Sequence, residues 1–280
     1  MNGREGAASG PPGALSGSRA PIVAFVALAF FLSWAAWTPL VLAAAAGRPL
    51  NPLFHVLGNF GPAAAALIVS ALTGRHALRQ VLRSLAAWRA PPAAWLFALG
   101  APAILWLVGV LLSPGEPLAA FLKAPEFPGL GFLALLVVEL VAYGVGEELG
   151  WRGFLLPRLS ESRSLLSAAL LVAVVWEAWH LPLLYALPTF RALGIGGLFG
   201  WAFSLALGSV LMAWLSRLSG ASTPVLATFH GLLDIAMGGV GVSLLAMNAQ
   251  GGLVMALGAA VLLAGGLTGR WRQRGASRAV

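Results

Sequence analysis

Eight long apolar segments follow one another along this chain, and they restrict what it can fold into more than any other feature. Of its 280 residues, 59% are hydrophobic and 9% are charged, against about 25% charged in an ordinary soluble domain. Each segment is close to or above the ~20 residues that a helix needs to cross about 30 Å of hydrocarbon. No alternation with a period of two suggests a barrel. The sequence therefore predicts an all-α, polytopic membrane protein with about eight transmembrane helices, at residues 21–46, 52–73, 92–113, 129–156, 164–187, 194–216, 222–245 and 250–269.

The distribution of arginine predicts how these helices are oriented. With the N-terminus inside the cell, most basic residues fall in inner segments and only Arg48, Lys123 and Arg191 in outer loops. This bias predicts a multi-pass protein of the inner (plasma) membrane with both termini in the cytoplasm. The net charge of +8 is then explained by anionic lipid headgroups rather than by nucleic acid. The inner set comprises Arg4, Arg19, Arg75, Arg79, Arg83, Arg89, Arg152, Arg158, Arg163, Arg217, Arg270, Arg272, Arg274 and Arg278.

A leader, a tail and one basic connecting segment are expected outside the transmembrane bundle. Residues 1–20 are rich in Gly, Ala, Ser and Pro and predict a disordered cytoplasmic leader. For residues 21–46, the alternative to a first spanning helix is a signal peptide cleaved at the small-residue run 43–47. Residues 21–270 are expected to form the transmembrane domain, and residues 271–280 are expected to form a basic cytoplasmic tail. Between the second and third spans, residues 75–91 place Arg75, Arg79 and Arg83 on one helical face. This segment is either an amphipathic helix on the headgroups or an ordinary basic loop.

Ionisable residues inside the apolar segments are the candidates for function. A charge at the centre of a bilayer costs at least ~2.5 kcal/mol on insertion scales, so each such residue needs a structural or chemical reason. The chain contains no cysteine, which excludes thiolate metal sites and disulfides. The ionisable residues in apolar segments are His55, Glu139, Glu147, Glu148, Arg152, Glu177, His180, His230 and Asp234.

The first polar cluster is the Gly146–Arg152 stretch. Glu147 and Glu148 are adjacent, so on a helix their side chains point about 100° apart. Glu148 and Arg152 are four residues apart and can form an ion pair, which leaves Glu147 free for another task. The alternative is that all three mark the cytoplasmic end of the fourth helix.

Two further clusters lie in the fifth and seventh segments. His180 follows Trp176 by four residues, and it is either a site residue or an interhelical hydrogen-bonding group. His230 and Asp234 are also four apart, so the carboxylate can accept from the imidazole and select its tautomer. Here the alternative is a polar pair that only packs helices together.

Depth in the membrane connects the three clusters. Glu148 and His180 both lie about 24 Å from the basic turn near residues 158–163, at 1.5 Å per helical residue. By the same rule His230 and Asp234 lie about 10–18 Å from the turn near 217–222. The depths overlap, and the sequence therefore predicts that Glu147, Glu148, His180, His230 and Asp234 line one cavity, with Arg152 as a structural partner.

Two chemistries fit such a set of side chains. A carboxylate removed from bulk water can act as a general base toward water, with a histidine sharing the role. Alternatively, Glu147, His180, His230 and Asp234 can supply the ligands of a catalytic Zn²⁺ with an open position. No H-E-x-x-H motif and no G-x-S-x-G motif is present, so neither a known zinc signature nor a serine nucleophile is indicated.

The three motifs resemble those of the CPBP family, the CAAX prenyl protease 2-like and bacteriocin-processing (Abi) intramembrane proteases. The motifs are Glu147-Glu148-x-x-x-Arg152, an aromatic residue four before His180, and His230-x-x-x-Asp234. A phrase at 60–64 is similar too, so the resemblance covers about residues 55–240. The family more often has Phe in place of Trp176 and commonly Asn in place of Asp234.

The resemblance implies an eight-helix intramembrane endopeptidase with its site open to the cytoplasm. Eukaryotic relatives process prenylated CAAX C-termini, and a bacterial member would act on membrane-associated peptides or proteins. It implies that Glu147 activates water with His180 as its partner, and that His230 and Asp234 bind a metal or the oxyanion. A zinc requirement is left open. The competing readings are a proton-coupled transporter that uses the same residues as a relay and a noncatalytic membrane scaffold or immunity protein.

Overall fold

A computed structural model describes residues 19–267 of the chain. The predicted tail and all but the last two residues of the predicted leader lie outside this range. The described part is all-helical, as predicted, with no β-strand. Its helices are α1 (Ala20–Ala45), α2 (Pro52–Asn59), α3 (Gly61–Thr73), α4 (Arg75–Leu85), α5 (Pro92–Leu111), α6 (Phe132–Val138), α7 (Gly146–Gly150), α8 (Leu156–Ser160), α9 (Leu165–Trp179), α10 (Leu181–Ala186), α11 (Pro188–Arg191), α12 (Gly194–Leu218), α13 (Thr223–Gly238) and α14 (Leu244–Leu267), with a 3₁₀ turn at Leu118–Leu122.

Five helices among the described residues are long and apolar enough to cross a bilayer. They are α1, the combined α2–α3 segment, α5, α12 and α14. The other three predicted spans are helical too, but they are shorter or interrupted. These three segments carry all the predicted site residues. Helix breaks shorten them and ionisable side chains lower their hydropathy, so none of the three is among the five long apolar helices. The chain is a multi-pass membrane protein, and eight is an approximate count of its spans.

The helix that carries Glu147 and Glu148 is wound irregularly. Residues 132–160 are helical throughout, but Glu139–Val145 and Trp151–Leu155 are π-helical and flank the short α7. A π turn contains more residues than an α turn, so it rotates the side chains that follow it. π-helical turns occur often at functional sites. In this protein they bracket the two adjacent carboxylates.

The fifth predicted span breaks at His180. Helix α9 ends at Trp179, and α10 begins at Leu181 with Pro182 in its first turn. Proline has no N–H and disfavours helical backbone in the preceding residue, so it accounts for the break. As a result, His180 lies at a helix end instead of inside a continuous span.

Glycines allow the site-bearing helices to approach closely. A Cβ added to Gly231 on α13 would lie 2.6 Å from the carbonyl oxygen of Glu139, and one added to Gly144 would lie 2.6 Å from that of Ala227. Neither separation is possible for real atoms, so α13 and the Glu139–Val145 π turn touch backbone to backbone. Small residues at such contacts are typical of packing inside membranes.

Burial follows the pattern expected in lipid. The largest fully buried side chains include Trp37, Trp151, Trp179 and Phe25, whereas Leu72 is 83% exposed. Aromatic rings fill the centre of the bundle, and large apolar side chains also cover its outer surface. Such an outside is stable in contact with acyl chains.

The arginine-rich segment at 75–91 contains the amphipathic helix α4, which is shorter than the segment. Its arginines are exposed and Val81 is buried. Ser84 Oγ accepts a hydrogen bond of 3.2 Å from Thr223 Oγ1, which ties this helix to the start of α13. Pro91 and Pro92 follow at the start of α5.

Candidate active site

Glu148 is the buried centre of the polar cluster. Its Oε1 accepts hydrogen bonds from Arg152 Nη1 at 2.9 Å and from His230 Nδ1 at 2.8 Å. None of the Glu148 side chain is exposed to solvent, and that of Arg152 is 1% exposed. A charge so deeply buried is tolerated only when it is paired. The contacts therefore indicate a structural role for Glu148, which holds two other residues in position.

Arg152 lies in the bundle, although the charge distribution along the sequence assigned it to an inner, cytoplasmic segment. That assignment is corrected by its burial. Its Nη2 donates to Ser209 Oγ at 3.3 Å, and that hydroxyl donates onward to the carbonyl of Ala169 at 2.9 Å. The guanidinium also lies 4.6 Å from the centre of the Trp176 ring. Arg152 thus links the α7 region to α9 and α12.

Glu147 faces different partners from its neighbour Glu148, as expected for adjacent helical residues. Its Oε2 accepts a hydrogen bond of 2.7 Å from Trp176 Nε1 and a longer one of 3.4 Å from Trp151 Nε1. Glu147 is 3% exposed. Two neutral indole donors therefore hold one oxygen of this carboxylate, and no basic side chain is hydrogen-bonded to it among residues 19–267. This leaves Glu147 better suited than Glu148 to exchange a proton.

His180 is attached to the cluster through Trp176. Its Nδ1 donates to the Trp176 carbonyl oxygen at 2.7 Å, so Nε2 is the acceptor nitrogen of the neutral ring. The imidazole is surrounded by aromatic rings, with Trp179 at 4.9 Å and Trp201 at 5.4 Å between centroids. These contacts hold the ring in one orientation, in which Nε2 is available to accept a hydrogen bond.

His230 lies between two carboxylates. While its Nδ1 is held by Glu148, its Nε2 is 3.5 Å from Asp234 Oδ2. Side-chain exposure differs sharply across this pair, at 9% for His230 and 38% for Asp234. Asp234 is therefore the member of the cluster that opens toward the surroundings, and His230 connects it to the buried ion pair.

Trp176 brings the separate motifs together. It hydrogen-bonds Glu147 and His180, lies beside Arg152, and presents its ring edge-on to His230 at 5.5 Å. These contacts connect all the predicted site residues, and Asp234 is connected through His230.

A family model of type II CAAX prenyl endopeptidases, Rce1-like, matches residues 129–236. This range runs from α6 to α13 and contains all three motifs. Residues 129–236 are therefore similar to this family. The chain is also 27% identical, over 143 residues, to CAAX prenyl protease 2 of Methanococcus maripaludis, with 48% of this chain and 51% of that protein covered. The chain thus spans about half the length of this curated relative. The resemblance to CPBP-family proteases, predicted from the motifs, is confirmed.

Among the described residues, the predicted zinc ligands are linked through Trp176 but are not grouped as a metal site. Within the described part of the chain, no three His, Asp or Glu side chains are grouped so as to hold a metal ion. His180 and His230 each use Nδ1 in a hydrogen bond, which is common for metal-ligating histidines. However, Oε2 of Glu147 is engaged by indoles. As arranged, His180, His230, Glu147 and Asp234 do not fit a zinc site.

A second polar cluster was not predicted from the sequence. His55 on α2 lies with its Nδ1 2.7 Å from Glu126 Oε1 and 3.0 Å from the Tyr143 hydroxyl. Tyr143 is one turn before Glu147 on the same helix. The sequence marked His55 as an ionisable residue in an apolar segment but offered no partner, because Glu126 lies in a distant loop. Through His55, these contacts join the loop that contains Glu126 to the helix that carries Glu147.

The role of Ser209 was also missed. It is a small hydroxyl residue in an apolar helix, and such residues often hydrogen-bond only to the backbone of their own helix. Its contact with Arg152 depends on how α12 packs against the helix bearing Glu148. No local pattern in the sequence marks that contact.

Proposed function

We propose that this protein is an intramembrane endopeptidase that hydrolyses peptide bonds of membrane-associated substrates, with water activated by Glu147. The observation that carries the proposal is the asymmetry of the carboxylate pair. Glu148 is neutralised by Arg152 and His230, whereas Glu147 is held only by neutral indole donors. A carboxylate without a bound cation is the better proton acceptor.

The remaining residues are assigned by their geometry. His180 presents Nε2 as an acceptor beside the same tryptophan and can share the proton with Glu147. His230 is held from behind by Glu148, and its Nε2 faces the part-exposed Asp234 at 3.5 Å. That contact is long for a hydrogen bond. With His230 as the imidazolium, in which both ring nitrogens carry a proton, we assign its Nε2–H to donate to the oxyanion that forms when water adds to the carbonyl.

The proton balance needs no further reagent. Glu147 takes a proton from water as the oxygen bonds to the peptide carbonyl. When the C–N bond breaks, the same proton passes to the leaving amine. No step is routed through a metal, since the four predicted ligands are not grouped as a metal site among the described residues.

The substrate class follows from the name of the curated relative. That protein is called CAAX prenyl protease 2, and we propose a membrane-associated peptide substrate of that kind. The lipid bilayer is the second partner.

Cleavage assays test this function directly. The purified protein in liposomes would be given fluorogenic peptides with and without a C-terminal prenyl group. Replacing Glu147 by Gln should reduce kcat by about 10²–10⁴, the usual contribution of a general base. The matched control is Glu177→Gln, a part-exposed carboxylate on α9, which should leave cleavage unchanged.

Two outcomes would overturn the proposal. One is cleavage by the Glu147 variant at the rate of the natural protein. The other is proton-coupled solute uptake into liposomes that is lost with Glu147 while no peptide is cut, which would favour the transporter.

A further inference from the structure

We propose that Trp176 is a positioning residue, whose indole N–H fixes the orientation of the Glu147 carboxylate for its reaction with water. The inference rests on the proposed role of Glu147 as the water-activating base. It assigns to an aromatic motif residue a function that a phenylalanine in the same place lacks.

The hydrogen bond itself is the first argument. Trp176 Nε1 and Glu147 Oε2 are 2.7 Å apart, and the two residues are 8% and 3% exposed. Hydrogen bonds to ionised carboxylates are short and about twice as strong as neutral ones. A buried carboxylate that loses such a donor retains a large desolvation cost. The bond therefore has both the geometry and the burial needed to control where the carboxylate points.

The second argument is that the donor is rigid. An indole N–H lies in the ring plane and can only donate, so its direction is set wherever the ring is set. The ring is held by the Arg152 guanidinium 4.6 Å from its centre and by the His230 imidazole edge-on at 5.5 Å. Arg152 is in turn fixed by Glu148 and Ser209. With Oε2 held in this way, Oε1 remains to receive the water proton.

The third argument concerns His180. Its Nδ1 donates to the backbone carbonyl of Trp176 at 2.7 Å. One residue therefore orients the carboxylate with its side chain and the neighbouring imidazole with its main chain. Replacing the Trp176 side chain changes only the first of these contacts, which allows the two effects to be separated.

Trp151 supplies a matched control for the variant. Its Nε1 approaches the same Oε2, but at 3.4 Å, where a hydrogen bond is weak. Its ring packs edge-on against Phe25 at 5.7 Å and Trp179 at 5.6 Å, so it is mainly a packing residue. Trp176→Phe and Trp151→Phe therefore both remove an indole N–H, one from a contact of 2.7 Å and the other from a contact of 3.4 Å.

Kinetics of the two variants are the first test. With the prenylated peptide, Trp176→Phe should lower kcat by about 10–100-fold, since small misplacement of a reacting group has effects of this size. KM should change by less than about twofold because the residue is not assigned to substrate binding. Trp151→Phe, which removes only the longer contact of 3.4 Å, should lower kcat several times less than Trp176→Phe does. An unchanged kcat in Trp176→Phe, or equal losses in both variants, would contradict the positioning role.

A spectroscopic test does not require activity. The indole ¹H–¹⁵N signal of Trp176, assigned by its absence in Trp176→Phe, should move upfield in the Glu147→Gln protein as the charged acceptor is lost. The Trp151 signal should move much less. An unmoved Trp176 signal refutes the contact. If the natural protein cleaves nothing while this signal moves as expected, the proposed function fails and the contact stands.

A second variant guards against a folding defect in Trp176→Phe. Site-specific replacement of Trp176 by benzothienylalanine keeps the two-ring shape and the backbone carbonyl but has sulfur in place of N–H. The same loss of kcat is expected. Full activity in this variant would show that the ring alone suffices and would overturn the inference.

Discussion

His230 Nδ1 lies 2.8 Å from Glu148 Oε1, although 82 positions separate the two residues in the sequence. The same oxygen accepts from Arg152 at 2.9 Å, so one buried carboxylate joins an ion pair within its helix to a histidine from α13. The two adjacent glutamates therefore have different roles. Glu148 organises the site, and Glu147 is left for chemistry.

Arg152 is expected to matter for stability at least as much as for activity. Changing it to Ala leaves Glu148 buried and paired only with His230, and breaking a buried pair typically costs about 3–5 kcal/mol. We expect Arg152→Ala to lower both the yield of folded protein and its thermal midpoint in detergent. Arg79→Ala, on the exposed face of α4, is the control and should have little effect. Complete loss of activity in a normally stable Arg152→Ala protein would contradict this role.

Asp234 is expected to tolerate amidation. It is 38% exposed in its side chain, and its contact with His230 is 3.5 Å, so its contribution to folding should stay below about 1 kcal/mol. In Asp234→Asn an amide oxygen remains near His230 Nε2, and we expect kcat/KM within about tenfold of the natural protein. Asp234→Ala, which removes the acceptor, should lose more. Equal kcat/KM for the two variants would show that the acceptor is unimportant.

The close approach of α13 should be sensitive to a single methyl group. A Cβ at position 231 would lie 2.6 Å from the Glu139 carbonyl, and overpacking of this kind costs about 1–3 kcal/mol. Gly231→Ala should therefore lower the thermal midpoint and displace the neighbouring His230. Gly200→Ala is the matched control, because nothing lies within 4 Å of its added Cβ. If Gly231→Ala and Gly200→Ala have the same thermal midpoint, the contact at position 231 does not limit packing.

Metal dependence can be measured independently of any variant. Since the predicted ligands are not grouped as a metal site in residues 19–267, we expect peptide cleavage to survive phenanthroline at millimolar concentration. Elemental analysis of the active, purified protein should show far less than one zinc per chain. Inhibition that is reversed by added Zn²⁺, together with stoichiometric metal, would contradict this mechanism and show that a metal takes part in cleavage.

Local spacing was sufficient to predict the contacts made within single helices. Residues four apart on a helix face the same side, and the structure has both the Glu148–Arg152 contact at 2.9 Å and the His230–Asp234 contact at 3.5 Å. The lengths of the apolar segments likewise predicted helices in all eight places. The sequence also marked Trp176 as unusual among relatives, without indicating what its indole N–H would bind.

Contacts between helices were decided by tertiary packing alone. The bonds from His230 to Glu148, from Arg152 to Ser209 and from Trp176 to Glu147 join residues 82, 57 and 29 positions apart. They depend on π-helical turns that rotate the carboxylates and on glycines that let backbones touch. Helical periodicity sets which side of one helix a residue faces, but not which helix lies opposite. The apolar lengths and charge spacing therefore determined a helical membrane protein with a polar interior, and only the packed bundle determined which glutamate is neutralised and which remains available to react.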